Sequence, residues 1–294
     1  MSSTKLLKSC LDVLIQPITK IVNLALSEGI FPSLYKNALV TPLLKKHGLP
    51  AEDLASYRPI SNLNFVSKII ERVIYSRLSA HLGSFPSLSP FQSAYRPFHS
   101  TESALLRIQN DLLLAMDQQK LSALVLLDLS AAFDTFDHDI LLTRLSSYFG
   151  ISGCAHDLIS SYLVDRTQSV SIGNHNSSPS PVTTGVPQGS VLGPLLFSLY
   201  TTPLSHLLSD SGVFFHLYDD DTQLYISFPP SESISSLSLL SSTLNSIYSW
   251  FFSNRLSVNP SKTEFLIIGT PQQRSKLSAQ IISFCQNLIQ SSDS

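Results

Sequence analysis

Three consecutive aspartates, Asp219 to Asp221, lie between two apolar stretches in FHLYDDDTQLYISF. An aspartate at a turn is commonly a helix cap or a solvated tip. Clustered acids between apolar segments, however, repel one another and lose hydration unless a cation neutralises them. A further acid, Asp128, ends the apolar run LSALVLLDLS. If the two runs are neighbouring strands, these acids converge, and oxygen ligands of this kind suit Mg²⁺. Acids from separate strands that hold a metal pair are what in-line phosphoryl or nucleotidyl transfer requires.

The pattern of apolar residues predicts the elements that position these acids. The run 121–127 is typical of a buried strand that delivers Asp128 at its tip. VFFHLY and TQLYIS are predicted to pair as a hairpin with the aspartates at its turn. DHDILLTRLSSYFG is predicted to be a helix capped by Asp137. The serine-rich segment 231–252 is also predicted to be a helix, because Ile234, Leu237 and Phe251 belong to one apolar face.

The N-terminal half alternates between predicted helices and strands. LDVLIQPITKIVNLALSEGIFP is predicted to be a helix that stops at Gly29, and NALVTPLLKK a short strand that runs into a basic pair. SNLNFVSKIIERVIYSRLSAHLG is predicted to be an amphipathic helix. STESALLRIQNDLLLAMDQQ is another, in which Ser103 takes the place of the usual Glu of a capping box with Ser100.

Length and composition indicate a globular chain. With 294 residues, of which 43% are hydrophobic, the chain can bury one large core or two medium ones. The apolar runs are too short or too often broken by proline to span a bilayer. No signal peptide is evident. Cys10, Cys154 and Cys285 lie far apart, which argues against a disulfide framework and a zinc site. We therefore expect an intracellular protein, nuclear or cytoplasmic, that is neither secreted nor bound to a membrane.

Charge is unevenly distributed along the chain. Residues 1–120 carry 13 Lys and Arg against 8 Asp and Glu, a net +5, whereas residues 121–294 carry 6 against 13, a net −7. A basic half joined to an acidic half suits a protein that grips phosphates with one part and holds metal ions with the other. Chance asymmetry explains the same numbers, so charge alone does not decide.

Seven motifs follow one another along nearly the whole chain. Three lie in the N-terminal part: NALVTPLLKK, ASYRPISNLNFVSKIIERVI and FQSAYRPFHSTESAL. Four follow them: LVLLDLSAAFDTFDH, GVPQGSVLGPLLF, LYDDDTQLY and WFFSNRLSVNPSKTEFLIIG. In this order they resemble the fingers motifs and then the palm motifs of reverse transcriptases, and most closely those of non-long-terminal-repeat (LINE-type) retrotransposons. Any one of them could arise by chance, but their shared order argues against coincidence.

This resemblance implies an α+β right-hand polymerase fold, with a palm of antiparallel strands backed by helices, and with fingers. Because the sequence stops at Ser294, soon after the last motif, we expect it to be truncated before the primer grip and thumb. The implied division is an N-terminal helix and fingers (1–120), the first catalytic strand and helix of the palm (121–150), a helix and hairpin of fingers or palm (151–184), the remaining palm (185–270) and a truncated C-terminal tail (271–294).

The resemblance also implies roles for individual residues. Asp128, Asp220 and Asp221 would bind metal ions and act in catalysis. Lys262 would protonate the pyrophosphate leaving group, although pairing with Glu264 is an equally good reading of that lysine. Arg96 would contact the template or primer backbone, or pack the fingers. The residues implied to contact the incoming nucleotide are Lys45 or Lys46, Arg58, Phe133 as a gate against the 2′-hydroxyl, Gln188, Gly189 and Tyr218.

The implied reaction is RNA-templated addition of deoxynucleotides to the 3′-hydroxyl of a DNA primer, with two Mg²⁺ ions or with Mn²⁺ as the alternative. The implied partners are an RNA template, a DNA primer and deoxynucleoside triphosphates, and we expect no stable protein partner. Asp219 departs from the family, which typically has alanine there. Because the primer end and the nucleotide are both anionic, we hypothesise that Asp219 weakens or abolishes polymerisation, or shifts its metal preference.

Two other readings stay open at this stage. The chain could be a catalytically inactive remnant of such an element, with a nucleic-acid-binding or structural role, and Asp219 favours that reading. A metal-dependent phosphatase or nuclease would also use clustered acids. That last class, however, gives no reason for the strings GVPQGS, YRPI and NPSKTE.

Overall fold

The computed structural model of the chain describes residues 9–83, 89–96, 98–277, 281–284 and 287–291. The chain divides into two compact units, each discontinuous in sequence. The first unit comprises Met1–Ser87 and Asp137–Leu196, and the second Leu88–Phe136 and Phe197–Ser294. Among the described helices, none is long and apolar enough to cross a membrane.

The described helices and strands are named in chain order. They are α1 (Leu11–Glu28), β1 (Asn37–Leu44), β2 (Tyr57–Asn62), α2 (Phe65–Gly83), α3 (Thr101–Asp117), β3 (Leu121–Leu127), α4 (Ala132–Thr135), α5 (His138–Ser147), α6 (Gly153–Leu163), β4 (Arg166–Ile172), β5 (His175–Asn176), β6 (Ser180–Val182), α7 (Gly193–Thr201), α8 (Leu204–Ser209), β7 (Phe214–Tyr218), β8 (Asp221–Phe228), α9 (Ser233–Ser253), β9 (Glu264–Ile268), α10 (Pro271–Arg274), β10 (Ile281–Phe284) and β11 (Asn287–Gln290).

The first unit contains a mixed sheet and the helices around it. The sheet has the order β2-β1-β4-β5, with β6 also paired to β4. Strand β1 is antiparallel to β2 and parallel to β4. Helix α1 ends at Gly29, whose φ of 68° is left-handed and whose N–H donates to the carbonyl of Ala25. The predicted strand at NALVTPLLKK and the helix stop at Gly29 are therefore confirmed.

The second unit is built on an antiparallel sheet in the order β7-β8-β3-β9. Its central strand β3 is buried along nearly its whole length, as its apolar run predicts. Helix α3 packs against one face of the sheet, where Ile108 and Leu112 meet Leu124 and Tyr225. Ser100 and Ser103 form a reciprocal capping box at the start of α3, so a serine performs the task usually given to glutamate.

The serine-rich helix α9 is present as predicted, although its apolar face is narrower than the spacing suggests. Leu237, Leu240, Leu244 and Phe251 are buried, but Ile234 is 72% exposed. Ser233 and Ser236, on either side of Ile234 in the first turn of α9, are buried, so Ile234 points away from the side of the helix that packs on the core. The buried side of the helix therefore does not include Ile234.

Residues 91–95 lie along the outer edge of β7, and we call them the edge segment. The Leu217 N–H donates to the Phe91 carbonyl at 2.7 Å, and the Ser93 N–H donates to the Leu217 carbonyl at 3.0 Å. The imidazole of His216 lies 2.9 Å from the Ser93 hydroxyl. The edge segment thus satisfies backbone groups that an edge strand would otherwise expose.

Candidate active site

The three aspartates are located at the tip of the β7–β8 hairpin. Tyr218 pairs with Asp221 across the turn, so that Asp219 and Asp220 are its two central residues. Asp219 has a φ of 59°, whereas Asp220 is not among the residues with positive φ. A positive φ at the first central position alone is the requirement of a type II′ turn, and aspartate tolerates it better than most side chains. The predicted hairpin is confirmed.

Asp128 is located beside this hairpin. Strand β3 runs antiparallel to β8 with Leu127 opposite Thr222, so the next residue, Asp128, follows beside Asp221. Burial raises the pKa of the Asp221 carboxyl above its usual range, and the charges of Asp220 and Asp128 raise it further. The structure thus brings the three predicted metal-binding acids to one end of the sheet, where they repel one another.

Lys262 lies at the same end of the sheet. Its Nζ is 2.6 Å from Oδ2 of Asp128, and the charge of Lys262 opposes the rise in the Asp221 pKa. A backbone hydrogen bond from the Asn259 N–H to the Asp128 carbonyl, 2.9 Å long, fixes the turn that precedes β9. The ion pair of Lys262 within the described residues is therefore with Asp128, while the sequence had also allowed Glu264.

The donor chemistry of this cluster fits a divalent cation. Carboxylate oxygens are the ligands that Mg²⁺ prefers, and a cation would relieve the repulsion that raises the pKa of Asp221. The side chains are not, however, arranged as a finished ligand set. Among the residues that the structure describes, no group of three or more His, Cys, Asp or Glu side chains is placed to hold a metal ion. Asp128 is engaged by Lys262 instead.

Asp219 has a different environment from its two neighbours. Its Oδ2 accepts a 2.7 Å hydrogen bond from the hydroxyl of Tyr95, while its Oδ1 is buried without a hydrogen-bond partner. Burial raises the pKa of Asp219 to about 6. The hydrogen bond from Tyr95 lowers this pKa, and the charges of Asp220 and Asp221 raise it. Asp219 is therefore hydrogen-bonded to the edge segment.

Three further predicted residues lie in the second unit. Phe133 is in the single turn of α4 and is half-buried, with its ring 5.1 Å from the ring of Phe197. The Tyr218 hydroxyl accepts a 2.9 Å hydrogen bond from Thr101. Arg96 donates from Nη1 to the carbonyls of Ser89 and Gln92, at 2.8 and 2.9 Å. Arg96 thereby braces the edge segment.

The remaining predicted residues belong to the first unit. Lys45, Lys46 and Arg58 are exposed near the end of the β1–β2 pair, and Lys45 donates from Nζ to the Ala55 carbonyl at 2.9 Å. The Gln188 carbonyl accepts from the Ser61 N–H of β2 at 2.9 Å. Gly189 has a φ of 103°, and a Cβ there would lie 3.2 Å from the Ser61 carbonyl oxygen. The glycine is thus required by the close approach of β2.

One residue that supports the Gln188–Gly189 turn was not singled out from the sequence. Glu71 of α2 is fully buried. Its Oε2 accepts from the N–H of Val191 at 2.7 Å and from the N–H of Leu192 at 3.3 Å, and its Oε1 accepts from the Ser67 hydroxyl at 2.9 Å. The sequence offered one signal for Glu71, because it is a lone glutamate at the helical spacing of the apolar positions of α2.

Solved structures with a similar fold define the class of the protein. The apo telomerase from Candida tropicalis truncated from its C-terminal domain has a TM-score of 0.60 and 15% sequence identity, over 89% of this chain and 54% of that chain. Telomerase from the same organism in complex with a fragment of telomeric RNA has a TM-score of 0.56 and 12% identity, over 85% and 43%. At such identities the likeness shows the fold alone, which is the right-hand polymerase fold with sheets backed by helices.

Sequence comparison then gives the family. The model of the reverse transcriptase (RNA-dependent DNA polymerase) family matches residues 44–284, and the chain belongs to this family. It is 34% identical over 249 residues to the probable RNA-directed DNA polymerase from transposon BS of Drosophila melanogaster, covering 83% of this chain and 27% of that protein. It is also 34% identical, over 217 residues, to the RNA-directed DNA polymerase from mobile element jockey of the same species, covering 72% and 23%.

These relatives confirm the resemblance to the reverse transcriptases of non-long-terminal-repeat retrotransposons that the motifs carry. The chain spans about a quarter of the length of these two relatives, 27% and 23% respectively.

Proposed function

We propose that this chain is the polymerase domain of a retrotransposon reverse transcriptase, and that it adds deoxynucleotides to the 3′-hydroxyl of a DNA primer on an RNA template. The observation that carries the proposal is the position of Asp128 beside Asp221 at the end of the sheet, with Lys262 2.6 Å from Asp128. Relatives that share the family are named RNA-directed DNA polymerases. An intracellular site of action, nuclear or cytoplasmic, accompanies this proposal.

Asp128, Asp220 and Asp221 would hold two divalent ions, Mg²⁺ or alternatively Mn²⁺. Bound there, such ions lower the pKa of an attacking hydroxyl and neutralise a leaving pyrophosphate. Lys262 is paired with Asp128, and its side chain is 62% exposed, so its ammonium would be accessible to the pyrophosphate and would offer it a proton. The protein thus supplies both the negative charge that gathers cations and a cation of its own.

Several residues would contact the incoming nucleotide. Lys45, Lys46 and Arg58 are exposed cations of the kind that bind triphosphates, Arg by its planar fork and Lys as a point charge. Phe133 would exclude a 2′-hydroxyl, because a ring beneath the sugar leaves no room for it. The backbone of Gln188 and Gly189 would lie against the base and template. Tyr218, whose hydroxyl accepts a hydrogen bond from Thr101, would also contact the nucleotide.

Primer extension on a homopolymer RNA template, with Mg²⁺ and with Mn²⁺, tests the proposal. Asp128→Ala should lower the rate about 100-fold or more, because a metal-binding carboxylate is lost. Asp117→Ala, at the exposed end of α3 in the same unit, is the matched control and should retain the wild-type rate. Phe133→Val should admit ribonucleotides. Extension that survives in Asp128→Ala would refute the proposal.

A second candidate is an inactive remnant that still binds nucleic acid. The charge of Asp219 beside the metal-binding acids favours it, and so does the engagement of Asp128 by Lys262. The same assay separates the two candidates. Absence of extension by the wild-type chain with both ions, together with measurable RNA binding by fluorescence anisotropy, supports the remnant. Extension that depends on Asp128 excludes it.

A further inference from the structure

We infer that Tyr95 is a positioning residue of the acidic hairpin. Its hydroxyl holds the carboxylate of Asp219 on the outer side of β7, away from Asp128, and so keeps Asp219 out of the metal site. The inference deepens the proposed function and rests on it. Its basis is the 2.7 Å hydrogen bond from the Tyr95 hydroxyl to Oδ2 of Asp219.

The order of the strands gives the direction in which Asp219 is drawn. Tyr95 ends the edge segment, which is hydrogen-bonded along the outer edge of β7 through Leu217. Asp128 follows β3, which pairs with β8 on the side opposite β7. A carboxylate at the β7–β8 turn can therefore lean towards either flank. The hydrogen bond to Tyr95 commits Asp219 to the flank that lies away from Asp128.

The backbone conformations of Tyr95 and Asp219 support this inference. Tyr95 and Asp219 both have left-handed φ angles, 57° and 59°. Non-glycine residues hold such conformations at a cost, and a tyrosine does so only where its surroundings fix it. Arg96, the residue after Tyr95, donates to the carbonyls of Ser89 and Gln92 and so ties the backbone at Tyr95 to the residues that precede it. Tyr95 and Asp219, both strained in backbone conformation, are joined by one hydrogen bond, which fixes the positions of both side chains.

The three aspartates of the hairpin therefore have different roles. Asp220 and Asp221 keep their charge for cations, whereas Asp219 serves the edge segment. Tyr95→Phe removes only the hydroxyl and leaves the ring, so it would release Asp219 towards the metal-binding acids. Asp219→Ala in the same protein would remove the released charge. The two substitutions together should therefore restore what Tyr95→Phe alone disturbs.

Mn²⁺ titration followed by electron paramagnetic resonance tests this directly, without any turnover. Asp219→Ala should bind Mn²⁺ as the wild type does. Tyr95→Phe should bind Mn²⁺ about tenfold more tightly, because a further carboxylate joins the ligand charge. The Tyr95→Phe/Asp219→Ala double variant should return to the wild-type affinity. Tyr225→Phe is the matched control, since its hydroxyl also bonds an aspartate, Asp111, elsewhere in the same unit.

Primer extension provides the second measurement. Tyr95→Phe should raise KM for the nucleotide about tenfold, through repulsion of the triphosphate by the released carboxylate, and the double variant should restore KM. A merely structural role for Tyr95 would not be suppressed by Asp219→Ala. Equal defects in Tyr95→Phe and in the double variant would overturn the inference, as would loss of Mn²⁺ affinity in Asp219→Ala alone.

Failure of the proposed function would look different. If the wild type binds no Mn²⁺, or if Asp128→Ala binds it as tightly as the wild type, then the metal site and the inference fall together. If Mn²⁺ binding depends on Asp128 but is the same in the wild type and Tyr95→Phe, only the inference falls.

Discussion

The carboxylate of Glu71 accepts a 2.7 Å hydrogen bond from the backbone N–H of Val191, which joins the middle of α2 to the residues just before α7. The N–H of Leu192 adds a second hydrogen bond to the same oxygen, 3.3 Å long. Backbone N–H groups at the start of a helix lack partners within the helix, and a carboxylate satisfies them. Glu71 therefore fixes the segment that follows Gln188 and Gly189.

We expect Glu71→Ala to lower the free energy of unfolding by about 3 kcal/mol or more, because it leaves buried N–H donors without their acceptor. Glu71→Gln, which keeps an acceptor, should cost about half as much. Urea denaturation followed by circular dichroism measures both. Glu28→Ala, an exposed glutamate of the same unit, is the control and should be nearly neutral. An equal effect at the two sites would contradict this account.

Gly189 offers a test of the turn itself. Gly189→Ala places a Cβ 3.2 Å from the Ser61 carbonyl oxygen at a φ of 103°, so it should suffer both backbone strain and a close contact. Gly48→Ala at a φ of 88° meets nothing within 4 Å and should suffer strain alone. We expect Gly189→Ala to be the more destabilising by about 1 kcal/mol or more, and to raise KM for the nucleotide. Matching melting temperatures would show that β2 yields to the added methyl group.

The catalytic strand and the acidic hairpin could be predicted from the sequence because their signals are local. An unbroken apolar run that ends on Asp128 predicts a buried strand with a carboxylate at its tip, and two apolar stretches around Asp219 to Asp221 predict a hairpin. Motif order then linked Asp128 to Lys262 as members of one site. The ion pair between those two side chains supports that link.

The pairings of Glu71 with Val191 and of Tyr95 with Asp219 could not be predicted in this way. Each joins residues more than a hundred positions apart, and nothing in the neighbourhood of either residue encodes its partner. The fold brings them together only after helices and strands have packed. The same holds for the division into two units, because residues 88–136 group with residues 197–294 through contacts that no local pattern shows.

Lys262 forms an ion pair with Asp128 and is also the proposed proton donor of the reaction. Its side chain is 62% exposed, so the pair with Asp128 should contribute less than about 1 kcal/mol to stability. We expect Lys262→Met to bind Mn²⁺ more tightly in the free protein, since it frees the Asp128 carboxylate, and yet to extend primers about 100-fold more slowly, since a proton donor is lost. Lys276→Met, an exposed lysine of the same unit, is the control. An unchanged extension rate would reduce Lys262 to a structural ion pair.

His216 should make stability depend on pH. It is 1% exposed, and burial lowers its pKa to about 4, with the positive charges of Arg107 and His99 adding to the effect. Because the unfolded chain binds this proton near pH 6.5, its contribution is complete above that pH and is lost as the pH falls towards 4, by about 3 kcal/mol at most. Urea denaturation at pH 7.5, 5.5 and 4.5 should show this loss as a change in the difference in unfolding free energy between the wild type and His216→Gln, because Asp219, whose raised pKa of about 6 acts in the opposite direction, is common to both proteins. The exposed-site variant His206→Gln should keep the wild-type slope. If His216→Gln keeps the wild-type slope between pH 6.5 and 4.5, the buried imidazole does not carry the pH dependence.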